Sequence, residues 1–472
     1  MRSGAPLPRD PRPPGALTRR QALLITMAGL LTAGQSRPLH ADALVPATVT
    51  AAAKPKSVQV FTGAGAGDKD GRDWQNAMPI GALNKALGRA RPGAGFLIGF
   101  EPAGGRSIPL DKGQILIKVS GEEERPVFVQ VGLIAGDHDL AAAEGDVPLF
   151  KSSKPWSVEN FGSRGRSFFA IANGASHLRL SGFRINGTPA DGFFKFRAKQ
   201  PATFNDIAIS GIEARNVGRI IETERSAKLR NLLVSDCKAV GIVRGFARFR
   251  DLSDAAFRNL ELDADNLDGG GKNVCQLIAL SAGENILFEN ITLRNALNEP
   301  PPPKQGKEPG YVQGDGIVCE RKTRNITVRN CHASNMGDGG FDLKSTNVTM
   351  EDCTTDSCKF GARIWAEGNN VIRRCDFRNP VTRNETMGAC VQAGGTLEII
   401  DSRMQAGPGT VAVSLSNKKN QKPPLVVVRG GSIETKGDGA VAHCNGDGVL
   451  EVYDVMVNGK MTTRRYVFKK KK

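Results

Sequence analysis

The sequence has little of what a helical or nucleic-acid-binding protein needs. Aromatic residues make up 6% of its 472 positions, with three tryptophans and three tyrosines. That supplies too few stacking surfaces for a single-strand platform, and no basic helix offers an alternative. Long runs with a 3.6-residue apolar period are nearly absent, which argues against a helical bundle. No apolar run is long enough to span a bilayer, the segment from Ala22 to Ala33 included.

Glycine is plentiful, at 55 residues, as are asparagine and short alternating segments, the mixture expected of many short strands joined by turns. Three segments align without gaps: NITVRNC from Asn325, NVTMEDC from Asn347 and NNVIRRC from Asn369. Their first asparagines and their cysteines (Cys331, Cys353, Cys375) each step by 22 residues. Looser copies begin at His177, Asp206, Asn231, Asn285 and Gly395. A fixed period of this length predicts a parallel β-solenoid, in which stacked coils share one core. A helix over Ile80–Arg89, stopped by Pro92-Gly93, is placed to cover the open N-terminal end. With that opening, residues 57–460 resemble the right-handed parallel β-helix of pectate-lyase-like proteins. Between the copy that begins at Asn285 and NITVRNC at Asn325 the period swells to 40, and the proline run at 300–303 must leave the ladder as a loop.

The formal net charge is +16; residues 1–41 contribute six arginines and one aspartate, so without them it is +11. A basic balance favours a polyanionic partner, here an acidic polysaccharide. Arg19-Arg20 before a mildly apolar run, with small residues at Ala41 and Ala43, resembles a bacterial twin-arginine export signal; a basic disordered leader is the alternative. The expected organisation is a signal peptide over 1–43, a linker over 44–57, the β-helix over 58–460 and a basic tail over 461–472. The mature chain is expected in the periplasm or outside the cell, as a monomer, with no nucleic acid and no membrane span. Nine cysteines in an exported protein would suggest disulfides, but their ladder spacing favours reduced, buried thiols acting as small core residues.

Alternation assigns the outward side chains on one edge. In GFDLKS, Phe341 and Leu343 point in while Asp342 and Lys344 point out. The preceding coil places Val318 and Glu320 out, with Asp315 in its turn; the next presents Arg363 and Trp365, and the one after that Cys390 and Gln392. Two outward columns follow, Val318–Asp342–Arg363–Cys390 and Glu320–Lys344–Trp365–Gln392, with Asp315 and Asp338 in the turn before them.

Crowded acids, a lysine, an arginine and a tryptophan suit β-elimination of a uronate polymer. A base removes the C5 proton once the neighbouring carboxylate is neutralised by a cation, which can be a calcium ion or an arginine. The stretch LKSTNVTMEDC…GARIWAEGNNVIRRCDF resembles the Lys-Ser strand, then the arginine strand one coil on, of the chondroitinase B and alginate lyase type of polysaccharide lyase. That resemblance implies Lys344 as base and Arg363 as its assistant. GDGGFDL separately resembles the calcium strand of another pectate lyase family, which implies calcium at Asp338 and Asp342, with Asp315 nearby. Here Gly339 replaces the middle acid, and the Glu-x-Glu of the first family is missing. Trp365, Glu320 and Gln392 are the expected substrate contacts.

Other readings fit the same fold. NLDGG, GDG and ARIW echo the acids and Arg-Ile-Lys segment of polygalacturonases, without their Gly-His-Gly. A uronate C5-epimerase shares the proton abstraction, and a non-catalytic β-helix could bind glycans. The isolated residues also have plain roles: Asp338 as a turn residue, Asp342 with Arg363 as a cross-coil ion pair, Lys344 facing solvent.

Overall fold

The computed structural model describes residues 54–470 apart from 101–107, 110–113, 137–138, 142–149, 152–166, 189–191, 268–273, 298–310, 384 and 418–421. The expected leader, most of the linker and the proline-rich insertion lie outside the described residues, which all belong to one unit, Leu44–Lys472.

That unit is a parallel β-helix. Each coil passes its strand to the next in register: Ile317 pairs with Phe341, Phe341 with Ala362, Ala362 with Val391, Val391 with Val413, and Val413 with Ala442. Because strand side chains alternate, this column faces inward on every coil. It joins one apolar core that runs from Phe61 to Val455. No single coil could bury such a face alone; stacking does it.

The 22-residue spacing is visible in the ladder, where Ile326 pairs with Val348 and Met350 with Ile372. Thr354 N donates to Cys331 O at 2.9 Å, Asp376 N to Cys353 O at 2.9 Å and Arg403 N to Cys375 O at 2.8 Å. The three cysteines therefore hold the same position on successive coils, as expected. All nine cysteines are free thiols and eight are buried.

Asparagines stack at the turns. Asn285 Nδ2 donates to Asp254 Oδ1 at 2.8 Å, Asn325 to Asn285 at 3.0 Å and Asn347 to Asn325 at 3.1 Å. Each of these four residues has a φ near +55° to +58°. Asn and Asp tolerate that left-handed conformation better than other non-glycine residues, and their short side chains bond along the stack.

Two boundaries differ from expectation. The N-terminal helix is a 3-10 turn, Ile80–Ala82, followed by a single α-helical turn, Leu83–Leu87, ending at Gly88. Leu83 and Leu87 are buried against the core, and Asn84 bonds the edge of the strand Ile115–Ile117 through Gln114 O and Leu116 N. At the other end the basic tail is mostly a strand: Lys460–Phe468 pairs antiparallel with Gly448–Val457. Its signal is Asn458-Gly459, both with positive φ, a dipeptide that favours a tight hairpin. Among the described residues, no helix is long and apolar enough to cross a membrane.

Candidate active site

The outward column of the same sheet reads Val318, Asp342, Arg363, Gln392, Ser414, His443. Three of the expected neighbours are in place, and one register is corrected. Gln392, not Cys390, stands beside Arg363, and Arg363 Nε donates to Gln392 Oε1 at 3.1 Å. The longer connection leaves Gly388 two places ahead of Cys390, the residue level with Gly361, so aligning coils on that glycine misplaces the strand. Cys390 accordingly points inward, its thiol donating to Phe377 O at 3.5 Å.

Two strands carry most of the site, Gly339–Leu343 and Phe360–Ile364. Asp315, Asp338 and Asp342 are 5%, 7% and 4% exposed. Asp315 Oδ1 accepts from Gly339 N at 2.9 Å, which fixes the turn preceding the first strand. Asp338 accepts from the Tyr311 hydroxyl at 2.6 Å and from Arg363 NH1 at 2.5 Å. Asp342 Oδ1 accepts from Trp365 Nε1 at 2.8 Å, while its Oδ2 lies 3.3 Å from Lys344 Nζ. Lys344 also donates to Glu320 at 2.8 Å.

The acids therefore orient the two cations. The Arg363 guanidinium carbon lies 4.9 Å from the Phe360 ring centre and 4.7 Å from that of Trp365. Stacking of this kind suits the planar guanidinium.

Burial, with Asp338 and Asp342 alongside, pushes the Asp315 carboxyl up to about 8. This raised proton affinity opposes the build-up of negative charge on the wall. Burial pulls the Lys344 ammonium down, but Asp342 and Glu320 outweigh it and hold the group above its ordinary value. That is the wrong direction for the base that the sequence suggested.

The expected calcium ligands do not fit a metal as arranged. Each carboxylate already receives its own donors, from Gly339, from Tyr311 with Arg363, and from Trp365 with Lys344. Among the described residues, no group of three His, Cys, Asp or Glu converges as a metal site.

Two participants were not anticipated. Lys359 stands in register with Asp338, because Phe360 N donates to Asp338 O at 3.0 Å. It is 0% exposed, its amine has no hydrogen-bond partner, and it lies 3.8 Å from the centre of the Tyr311 ring. Burial lowers this amine to about 8, with Arg363 and Arg383 adding to the effect and Asp338 opposing it. The available signal was position alone: Lys359 follows Asp338 by 21 residues, one coil.

Beside Lys344 opens a cleft of about 320 Å³ lined by Arg321, Lys344, Trp365, Glu367, Gly394 and Lys422, among others. Arg321 also borders a second depression of about 430 Å³ that includes Arg230, Lys322 and Arg324. Cations outnumber acids in both.

Fold and wall together define a right-handed parallel β-helix with a charged groove on one sheet. Residues 276–422 and 315–460 match the family described as a right-handed beta helix region. No curated protein matches the chain in sequence. Among solved structures it is similar to pectate lyase Pel9A, at 11% identity over 87% of this chain and 82% of that one, with a TM-score of 0.37. The GH136 lacto-N-biosidase from Eubacterium ramulus is similar at 10% identity, over 85% and 68%, with a TM-score of 0.44. PfbA, a surface adhesin of Streptococcus pneumoniae, is similar at 11% identity, over 80% and 86%, with a TM-score of 0.39. Activity has to be argued from the site itself.

Proposed function

We propose that this protein binds an acidic, uronate-containing polysaccharide along the basic groove and cleaves it by β-elimination. The supporting observation is Arg363, held by Asp338 and Gln392 and stacked between Phe360 and Trp365. A guanidinium fixed in this way is preorganised to pair with a sugar carboxylate. Neutralising that carboxylate makes the adjacent C5 proton acidic enough to be removed. Lys344, paired with Asp342 and Glu320, contributes a second positive charge at the cleft, and its high proton affinity suits charge pairing better than proton abstraction. Trp365 offers an apolar face to a pyranose ring. Arg321 and Lys422 extend the positive lining along the chain direction of a polymer. No step requires calcium, since the acids act by positioning the cations.

The test is to incubate purified protein with a panel of acidic glycans. Elimination leaves a C4=C5 double bond conjugated to the carboxylate, read as ultraviolet absorbance. Product with that absorbance supports the reading, and its absence from every polyuronate would overturn it.

Asp315 favours hydrolysis as a second reading. A buried carboxyl whose proton affinity is raised, with two further carboxyl groups alongside, is the pattern of a general acid. New reducing ends without ultraviolet absorbance would select it.

The Arg19-Arg20 leader supports export to the periplasm or beyond. Replacing both arginines by lysine should retain the precursor in the cytoplasm, and unchanged export would refute this.

A further inference from the structure

We infer that Lys359 is the group that removes the C5 proton, uncovered when the Tyr311 ring turns aside. The inference rests on the elimination reading above and adds the base that reading lacks.

Burying this amine is costly. A fully buried amine without an acceptor forfeits its hydration and gains no hydrogen bond in return. Such groups are rare in folded proteins and call for an explanation. Lys359 is one: 0% exposed, no partner for Nζ, and in contact with the Tyr311 ring at 3.8 Å and the Phe360 ring at 5.6 Å. A methionine would fill the same space at no such cost. Lys344, by contrast, has the two carboxylate partners of an ordinary structural lysine.

Lys359 also stands where the reaction needs a base. C5 is bonded to the carboxyl carbon that Arg363 would neutralise, so the base has to stand beside Arg363. Lys359 immediately precedes the strand Phe360–Ile364 that carries it, and Phe360 touches both side chains. The charged and titratable groups facing its amine are Asp338, Arg363, Arg383 and Tyr311. Burial lowers this amine to about 8, with Asp338 opposing and Arg363 and Arg383 adding to the effect, which is the range in which an efficient base operates.

A single aromatic side chain covers the amine on one side. Tyr311 is 41% exposed and lies over the amine, tethered by one hydrogen bond from its hydroxyl to Asp338. Rotation of that ring breaks a single bond and lifts the aromatic face from the amine. In the step itself, the neutral amine takes the C5 proton and the C–H electron pair becomes the C4=C5 double bond. The C4–O4 bond breaks, and the Lys359 ammonium then gives its proton to the departing O4. No oxidant, reductant or further reactant is needed.

The experiment compares wild type, Lys359→Met, Lys359→Arg and Lys344→Ala from pH 6 to 10, with circular dichroism to verify folding. For wild type, unsaturated product should form at a rate that rises roughly tenfold per pH unit and levels above about 8. Both Lys359 variants should lose about 10²-fold or more. Lys359→Arg is decisive if Lys359→Met unfolds, because arginine keeps the charge and cannot deprotonate. Lys344→Ala should raise KM and keep the alkaline rise. Lys359→Arg within tenfold of wild type would overturn the inference while leaving the elimination reading intact. No unsaturated product from wild type would instead remove that reading, and the base with it. Amine-reactive labelling read by mass spectrometry supplies an independent check. Lys359 should be unmodified in wild type and modified in Tyr311→Ala. Lys359 equally unreactive in both would also overturn the inference.

Discussion

Trp365 Nε1 donates to Asp342 Oδ1 at 2.8 Å across two successive coils. The bond ties the indole to the carboxylate that also holds Lys344 at 3.3 Å, so one buried acid sets both the aromatic face and the cation of the cleft. Asp342→Asn keeps an acceptor for the indole and removes the charge. The variant should fold and lose roughly 1–3 kcal/mol of stability. Lys344 should titrate lower than in wild type, and substrate KM should rise. Thermal unfolding and steady-state kinetics check the two effects; an unchanged KM would mean that Lys344 takes no part in binding.

Asp315 makes stability depend on pH in a defined direction. Burial, with Asp338 and Asp342 alongside, raises its carboxyl to about 8 in the folded chain, from the ordinary 3.8 of an exposed aspartate. Between those values the folded state holds a proton that the unfolded state has released, so stability falls as pH rises. The slope is at most roughly 1.4 kcal/mol per pH unit. Asp315→Asn should flatten this part of the curve and be more stable than wild type at pH 8. A melting temperature with the same pH slope in both proteins would contradict the assignment.

The metal question has a direct answer. Because each of the three aspartates is engaged by protein donors, adding calcium or a chelator should leave the melting temperature and any activity unchanged. A calcium-dependent rise in melting temperature would show that Arg363 and Lys344 yield their carboxylates to the ion.

The thiols offer a test of the coil stack. Eight of nine cysteines are buried, and burial raises the thiols of Cys275, Cys319 and Cys390 above their ordinary value. An alkylating reagent at neutral pH should modify Cys444 alone in the native protein, and all nine after unfolding. Reducing agent should not lower the melting temperature. Rapid native modification of Cys353 would mean that the ladder is open.

What was legible in the sequence was whatever repeats. Asn325, Asn347, Cys331, Cys353 and Cys375 recur at the coil period because each coil meets the same turn and the same core, so their register could be read without coordinates. Arg363 and Asp342 were placed together by counting outward positions on adjacent coils of nearly equal length. Gln392 was assigned to the neighbouring column where that count failed, across the longer connection at 380–387. The Lys460–Phe468 strand was hidden by its basic composition, although Asn458-Gly459 marked the hairpin. Lys359 and Tyr311 could not be paired at all. They are 48 residues apart and meet through an insertion that breaks the period, and an amine's burial is a property of the stack rather than of its neighbours in sequence.

The most direct test of the central claim compares wild type with Arg363→Lys on a polyuronate, following ultraviolet absorbance of the unsaturated product. Lysine keeps a positive charge but loses the planar fork that Asp338 and Gln392 hold and the stacking on Phe360 and Trp365. Wild type should generate the absorbance, and Arg363→Lys should lower kcat/KM by about 10²-fold or more while remaining folded. Full activity in the folded Arg363→Lys variant, or no unsaturated product from wild type on any polyuronate, would contradict the account.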